Sequence, residues 1–417
     1  MALPKKRNYI KNNKKNINPR VKLLRSALSS VFDLHVNVAC AKEMFTTVIP
    51  MLDKADKFKR AEIRKLIRSI SKTKTEEETN RKINKLTKSV RELNIANRAF
   101  KRSQVVLVVS FFDNFILNLF RLIYRKNSGI INSKMISYEE LLSLKTKKDI
   151  LHKIADKEIY SLMKEKSRSD WIKILDEKEG MNFFDNNKEI IDQFLLLSEK
   201  RNIFAHYGDR INEEYLKKCR IIDCSYAKNL KVGDALNVGS EDFYKYCEII
   251  LELAFKLSFS VLNNEFNKET EKVSIENYYN KYFGYDYLEK HQWGLAKNIF
   301  KYLLSFNEKP TQKDELRMIF LINYCICLKK LNQKRELFKI LNDLEKHDFK
   351  KIGLIYRLAC YMLREKYDES VELIKKMNKS ALKIHQLKEL VIFEDFRKSP
   401  QYVLAVSELK RKKHAKK

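Results

Sequence analysis

Glycine and proline are almost missing from this chain: 8 and 5 among 417 residues. Average usage of the two together is about 12%. Sandwiches and barrels turn every few residues, and their turns lean on Gly and Pro. Such poverty argues against a multistranded β architecture and excludes a collagen-like chain or a Gly-rich linker. Apolar residues make up 44%, enough for real cores and too many for a globally disordered chain. The length suits two or three domains. An all-α protein is the expectation.

Periodicity supports it. Residues 1–20 are basic, Asn-rich and without period, and read as a disordered arm. Leu24, Leu28, Val31, Phe32 and His35 recur at helical spacing within 21–52, where Pro50 is expected to end or kink the helix. A short basic amphipathic helix is expected at 56–70. Thr75 with Glu78 resembles a capping box opening a charged helix over 76–103. That helix runs into the apolar stretch 105–120, where Phe112, Phe115, Leu119 and Leu122 favour a buried helix over a strand. The stretch is too short to span a bilayer and is interrupted by Asp113 and Asn114. Short helices are expected over 137–178, a strongly patterned helix over 189–206, an irregular insert over 208–240, and a long helix over 240–262.

After about 270, helical hairpins follow one another. Leu288 to Ala296, Leu328 to Leu337 and Leu363 to Ser370 look alike, at a spacing near the 34 residues of tetratricopeptide repeats. The pattern resembles the turn between the two helices of such a repeat, with Leu337 replacing the small residue in the middle copy. Phe393 to Tyr402 resembles the capping helices that close repeat arrays. The tyrosines of 278–287 read as packing of the first repeat helices. The boundaries read as a basic arm at 1–20, a helical domain at 21–265, a repeat domain at 270–408 and a basic tail at 409–417.

Lys and Arg number 85 against 54 Asp and Glu, a formal net charge of +31. Residues 1–25 and the last ten hold nearly half of it. Such a field favours polyanions, although a Lys-, Asn- and Ile-rich composition of the kind an AT-rich genome encodes accounts for part of it. The 7 cysteines follow no framework, and the N-terminus lacks the apolar core of a signal peptide. A cytoplasmic protein with reduced thiols and no membrane partner is expected. No histidine pair has metal spacing, and Cys219 with Cys224 is a lone C-x4-C, so neither metal nor cofactor is expected. P-loop, dinucleotide and Gly-x-Ser-x-Gly fingerprints are missing.

One segment carries chemistry: Ser198-Glu199-Lys200-Arg201-Asn202-Ile203-Phe204-Ala205-His206-Tyr207-Gly208. A histidine exchanges protons near neutral pH, and an arginine offers a permanent planar charge to phosphate oxygens. Residues five apart on a helix lie about 140° apart, so Arg201 and His206 do not converge within one chain. Asn202 and His206 share a face, so Asn202 is placed to orient the imidazole. Arg201-Asn202-x3-His206 resembles the Arg-x4-to-6-His signature of HEPN domains, and the helix order over 95–265 resembles theirs. Together these suggest an all-α HEPN-like helical bundle followed by a TPR-like α-solenoid.

The resemblance implies a metal-independent endoribonuclease with its site shared across a homodimer. Arg201 would bind the scissile phosphate and His206 would act as general acid or base on RNA attacked by its own 2′-OH. Asp113, Asn114 and Tyr207 are expected in support, with Asp113 a partner for Arg201. Lys200 and Arg210 are expected to contact RNA backbone. Some HEPN toxins carry a modifiable Tyr two residues after the His; Gly208 stands there. The resemblance suggests a toxin-like effector of antiviral defence or a toxin–antitoxin pair, with a protein inhibitor or activator at the repeats. A catalytically silent adaptor on the same fold, binding RNA or protein, is the alternative. A basic scaffold for DNA is a third.

Overall fold

The computed structural model describes residues 19–70, 76–126, 137–266, 268–306, 314–346, 353–378 and 381–414. Most of the basic arm, Thr75 and the last three residues lie outside them. The described chain is helical, and an isolated β-bridge joins Arg210 to Ala235. It divides into two compact units, 1–264 and 265–417.

The first unit is built on two long helices, α1 (Pro19–Ile70) and α2 (Glu76–Lys126). They run antiparallel: Phe45 meets Phe100, and Asn97 donates to Asp53 at 3.0 Å. Pro50 lies inside α1 and does not end it, so of the two expected outcomes, an end or a kink, the end is excluded. A mid-helix proline costs about 3 kcal/mol. Packing of the helix along one continuous partner offsets that, and Pro50 faces outward. The two expected helices are therefore one. Beyond Ile49 on α1 and before Val90 on α2, no described side chain is buried. The outer half of the hairpin is a charged two-helix arm.

The inner half is core. Val105, Val108, Val109, Phe112, Phe115, Ile116, Leu119 and Phe120 are all buried, as the apolar period requires. By length and composition α2 qualifies to cross a membrane, because the helix continues well past the apolar run. Half of its most apolar window is buried inside the unit, which is how a core helix behaves. Then come α3 (Tyr138–Leu142), α4 (Lys147–Glu165), α5 (Arg168–Glu179), α6 (Phe183–Asn186) and α7 (Lys188–His206). The insert is more ordered than its composition suggests. It holds α8 (Glu213–Ile222) and α9 (Cys224–Ala227), capped by Asn212 and Asp223 side chains. The buried helix α10 (Ser240–Glu265) closes the unit. Phe243 of α10 stacks on Phe45 at 4.2 Å, and Asn264 donates to the Glu179 carbonyl at 2.6 Å.

The second unit opens with α11 (Glu269–Tyr279), a π-helical turn (Asn280–Gly284) and α12 (Tyr285–Glu289). Tyr279, Phe283 and Tyr287 are buried there, so these aromatics pack. Then follow α13 (Trp293–Ser305), α14 (Asp314–Lys330), α15 (Lys334–Glu345), α16 (Leu354–Leu363) and α17 (Tyr367–Lys376). Three helix–helix turns are built alike. His291, Asn332 and Glu365 each adopt positive φ. The next N–H reaches back five residues: Gln292 to Tyr287, Gln333 to Leu328 and Lys366 to Tyr361, each at 2.9 Å. These are Schellman endings, and no glycine serves any of them.

Short α18 (Ile384–Glu389) and α19 (Gln401–His414) complete the unit. Phe393 and Phe396 are buried beneath them, and Arg397 donates to the Leu387 and Leu390 carbonyls. The expected basic tail is largely helix. Its Lys412 donates to the Ile374 carbonyl at 2.7 Å and the Met377 carbonyl at 2.5 Å, closing the open end of α17.

Candidate functional site around the end of α7

Helix α7 buries Ile190, Ile191, Phe194, Leu197 and Ile203 and rests on α2, where Phe194 meets Phe112 at 4.3 Å. It ends at Tyr207, whose N–H bonds the Ile203 carbonyl at 2.8 Å. Gly208 follows at φ +76°, a left-handed position that suits glycine. Asp209 to Ile211 is then pinned to the segment 233–236: Leu236 donates to Asp209 and Ile211 to Asp234. The end of α7 is thus held on both sides.

Arg201 and His206 point different ways, as their spacing predicts. Arg201 is half-buried beside Arg168 of α5 and Asp113 of α2. Desolvation first, and the Arg168 charge second, pull its pKa down, with Asp113 opposing. Asp113 does not hydrogen-bond Arg201, contrary to expectation. Arg168 takes it with two bonds, Nε at 2.8 Å and Nη2 at 2.6 Å. The geometry explains the choice: a guanidinium fork satisfies both carboxylate oxygens of one partner. Arg201 is left with Asn202 Oδ1 at 3.4 Å and a buried Nε–H without a partner. Two cations therefore share one carboxylate, and a buried donor remains open. Trp171 Nε1, on the ring that Arg168 covers at 5.6 Å, is a second buried donor without a partner.

His206 is exposed at the end of α7 and lines an open cleft of about 280 Å³ with Glu199, Asn202, Tyr207, Tyr215 and Lys218 among its walls. Asn202 shares this cleft, but its Nδ2 donates to Glu199 at 3.4 Å rather than to His206. The carboxylate one turn earlier outcompetes the ring. Lys218 of α8 bridges Glu199 at 3.5 Å and Glu214 at 2.9 Å. Tyr207 is 55% exposed, with its ring edge-on to His206 at 6.4 Å.

The remaining expected residues differ. Asn114 is exposed on the outer side of α2. Lys200 is not a freely solvated surface charge. It is half-buried, donates to Tyr246 at 2.7 Å and sits over the Tyr226 and Tyr246 rings. Its position one residue before Arg201 turns it inward toward α10. Arg210 is exposed and donates to the Gly233 carbonyl at 3.0 Å, which holds the loop. Cys219 is buried, its thiol pushed up to about 11 by burial. Among the described residues no three His, Cys, Asp or Glu side chains are grouped to hold a metal.

Sequence reasoning missed Arg168 and Arg102. Arg102 of α2 reaches Asp209 at 3.6 Å and passes beside Gly208. Both lie far from the motif in sequence, and only the packing of α2 and α5 against α7 brings them in. No family model, no curated protein and no solved structure matches this chain.

Proposed function

We propose that the chain is an endoribonuclease of HEPN type, acting in the cytoplasm as a toxin-like effector in antiviral defence or a toxin–antitoxin pair. The observation that carries this is the state of Arg201. A desolvated guanidinium beside a second cation, with an open buried donor, is short of negative charge. A phosphate diester supplies it. His206, exposed at the mouth of the neighbouring cleft, moves the proton.

The chemistry needs little else. RNA brings its own nucleophile, so the protein moves protons and steadies the charged phosphorane. Because Arg201 and His206 diverge, each reaching phosphate requires a second copy of the chain, with Arg201 of one meeting His206 of the other. Ala205, His206, Tyr207 and Gly208 form a continuous exposed strip at the end of α7 on which copies can meet. The second unit would hold a protein inhibitor or activator.

A specific observation favours a second reading, a silent adaptor on the same fold. Glu199 and Glu214 share the cleft with His206 and repel phosphate. Cleavage in EDTA by the wild-type chain separates the two. The nuclease leaves a 2′,3′-cyclic phosphate, and Arg201→Ala and His206→Ala each lose about 100-fold or more. An adaptor binds and never cleaves.

A further inference from the structure

The face of α4 that looks along α2 carries Lys153, Asp156, Lys157, Tyr160, Ser161 and Lys164, at the i, i+3, i+4, i+7, i+8, i+11 spacing of one helical stripe. With Arg121 and Glu165 they line an open groove of about 510 Å³. Its acids are already engaged. Asp156 takes Arg121 at 2.9 Å, and Glu165 accepts from Ser161. Lys157 holds Glu140, outside the groove lining. Lys153 and Lys164 are exposed and form no ion pair among the described residues. Tyr160 stands between them with 72% of its surface exposed. Nothing in the packing of α4 calls for a bare tyrosine there.

The groove and the Arg201 site are framed by the same elements, α2 and the junction of α4 with α5. Lys164 in the last turn of α4 is separated from Arg168, the first residue of α5, by the extended Lys166 and Ser167, and Arg121 lies about two turns along α2 from Asp113, the residue that Arg168 grips. Cations at both ends of a strip with an exposed ring in the middle match how a single strand is held. The backbone follows the charge and a base stacks on the ring. A rigid duplex cannot splay a base onto Tyr160.

We infer that this groove binds single-stranded RNA, feeding the strand toward Arg168 and Arg201. The inference rests on RNA as the substrate and names its form. Its test is binding in the non-cleaving His206→Ala chain, read by anisotropy of a labelled single-stranded oligonucleotide and of the matching duplex. Lys153→Glu/Lys164→Glu should weaken the single strand at least tenfold and lower the salt slope by about 1 to 2. Tyr160→Ala should weaken it severalfold and Tyr160→Phe hardly at all, with the duplex indifferent to both. The pair Lys334→Glu/Lys339→Glu, exposed in the second unit, controls for net charge and should change binding by less than twofold.

Equal loss in the groove and control pairs, or no loss in Tyr160→Ala, overturns the groove. Cleavage by the groove variants in the otherwise wild-type chain separates it from the nuclease reading. Raised KM with kcat unchanged supports both. Unchanged KM with unchanged binding removes the groove and leaves the nuclease. The expected binding pattern with no cleavage by wild type keeps the groove and removes the nuclease.

Discussion

Asp113 is the residue on which the electrostatics of the site turn. It holds Arg168 with two bonds and lies near enough to Arg201 to oppose the fall in its pKa. Removing one partner of a well-buried pair costs about 3–5 kcal/mol. Here the side chains are 14% and 21% exposed, so Asp113→Ala should cost about 1–3 kcal/mol in urea unfolding. Millimolar sulfate should restore part of that loss, because the two freed cations then have an anion to share. Adding Arg201→Ala to Asp113→Ala should also recover stability by removing the repulsion. A loss indifferent to sulfate and to Arg201→Ala would mean that Asp113 acts by packing alone. The motif was legible because Arg201, Asn202 and His206 are close in sequence. The pairing was not, because Arg168 is a long-range neighbour whose geometry the sequence does not display.

At the scale of elements, two backbone details decide how the second unit is joined. A Cβ on Gly284 would lie 2.8 Å from the Phe300 ring, so the π-turn and α13 approach closely only because Gly284 has no side chain. Gly284→Ala should cost about 1–3 kcal/mol, and Phe300→Leu in the same chain should return some of it. Asn332 sits at φ +57°, which Asn and Gly tolerate and β-branched residues do not. Asn332→Gly should leave thermal stability nearly unchanged, while Asn332→Val should cost about 1–2 kcal/mol. Helical period and few breakers made most helices legible, including the apolar length of α2. The single helix across Pro50 was not, since local chemistry predicts a break and packing along α2 overrides it. The helices inside 208–240 were hidden because its glycines, Gly208, Gly233 and Gly239, lie outside them, while Asn212 and Asp223 cap them. The three alike turns were visible as a repeated polar spacing, but their shared left-handed residue was not, because none is glycine.

At the scale of the whole molecule, charge and assembly are the issues. In the second unit Lys330 meets Asp395 at 3.0 Å and Glu394 at 3.1 Å, with Lys329 near Asp395 at 3.6 Å. Burial pushes the Asp395 carboxyl up, but Lys330 and Lys329 outweigh it and hold its pKa below the usual range. A depressed carboxylate lends stability above its unfolded pKa of about 4, and that stability is lost as pH falls through the lower folded value. The second unit, followed by Trp293 in a Trp171→Phe chain, should therefore weaken below about pH 4, and Lys330→Met should flatten that slope. The proposed composite site makes the central claim about the assembled protein. Its most direct measurement mixes Arg201→Ala and His206→Ala chains, refolded together, in an RNA cleavage assay with EDTA. Each variant alone should be inactive and the mixture active, because one mixed dimer rebuilds one site from the intact Arg201 of one chain and the intact His206 of the other. A mixture no more active than either variant alone, or either variant cleaving as well as wild type, would contradict the account.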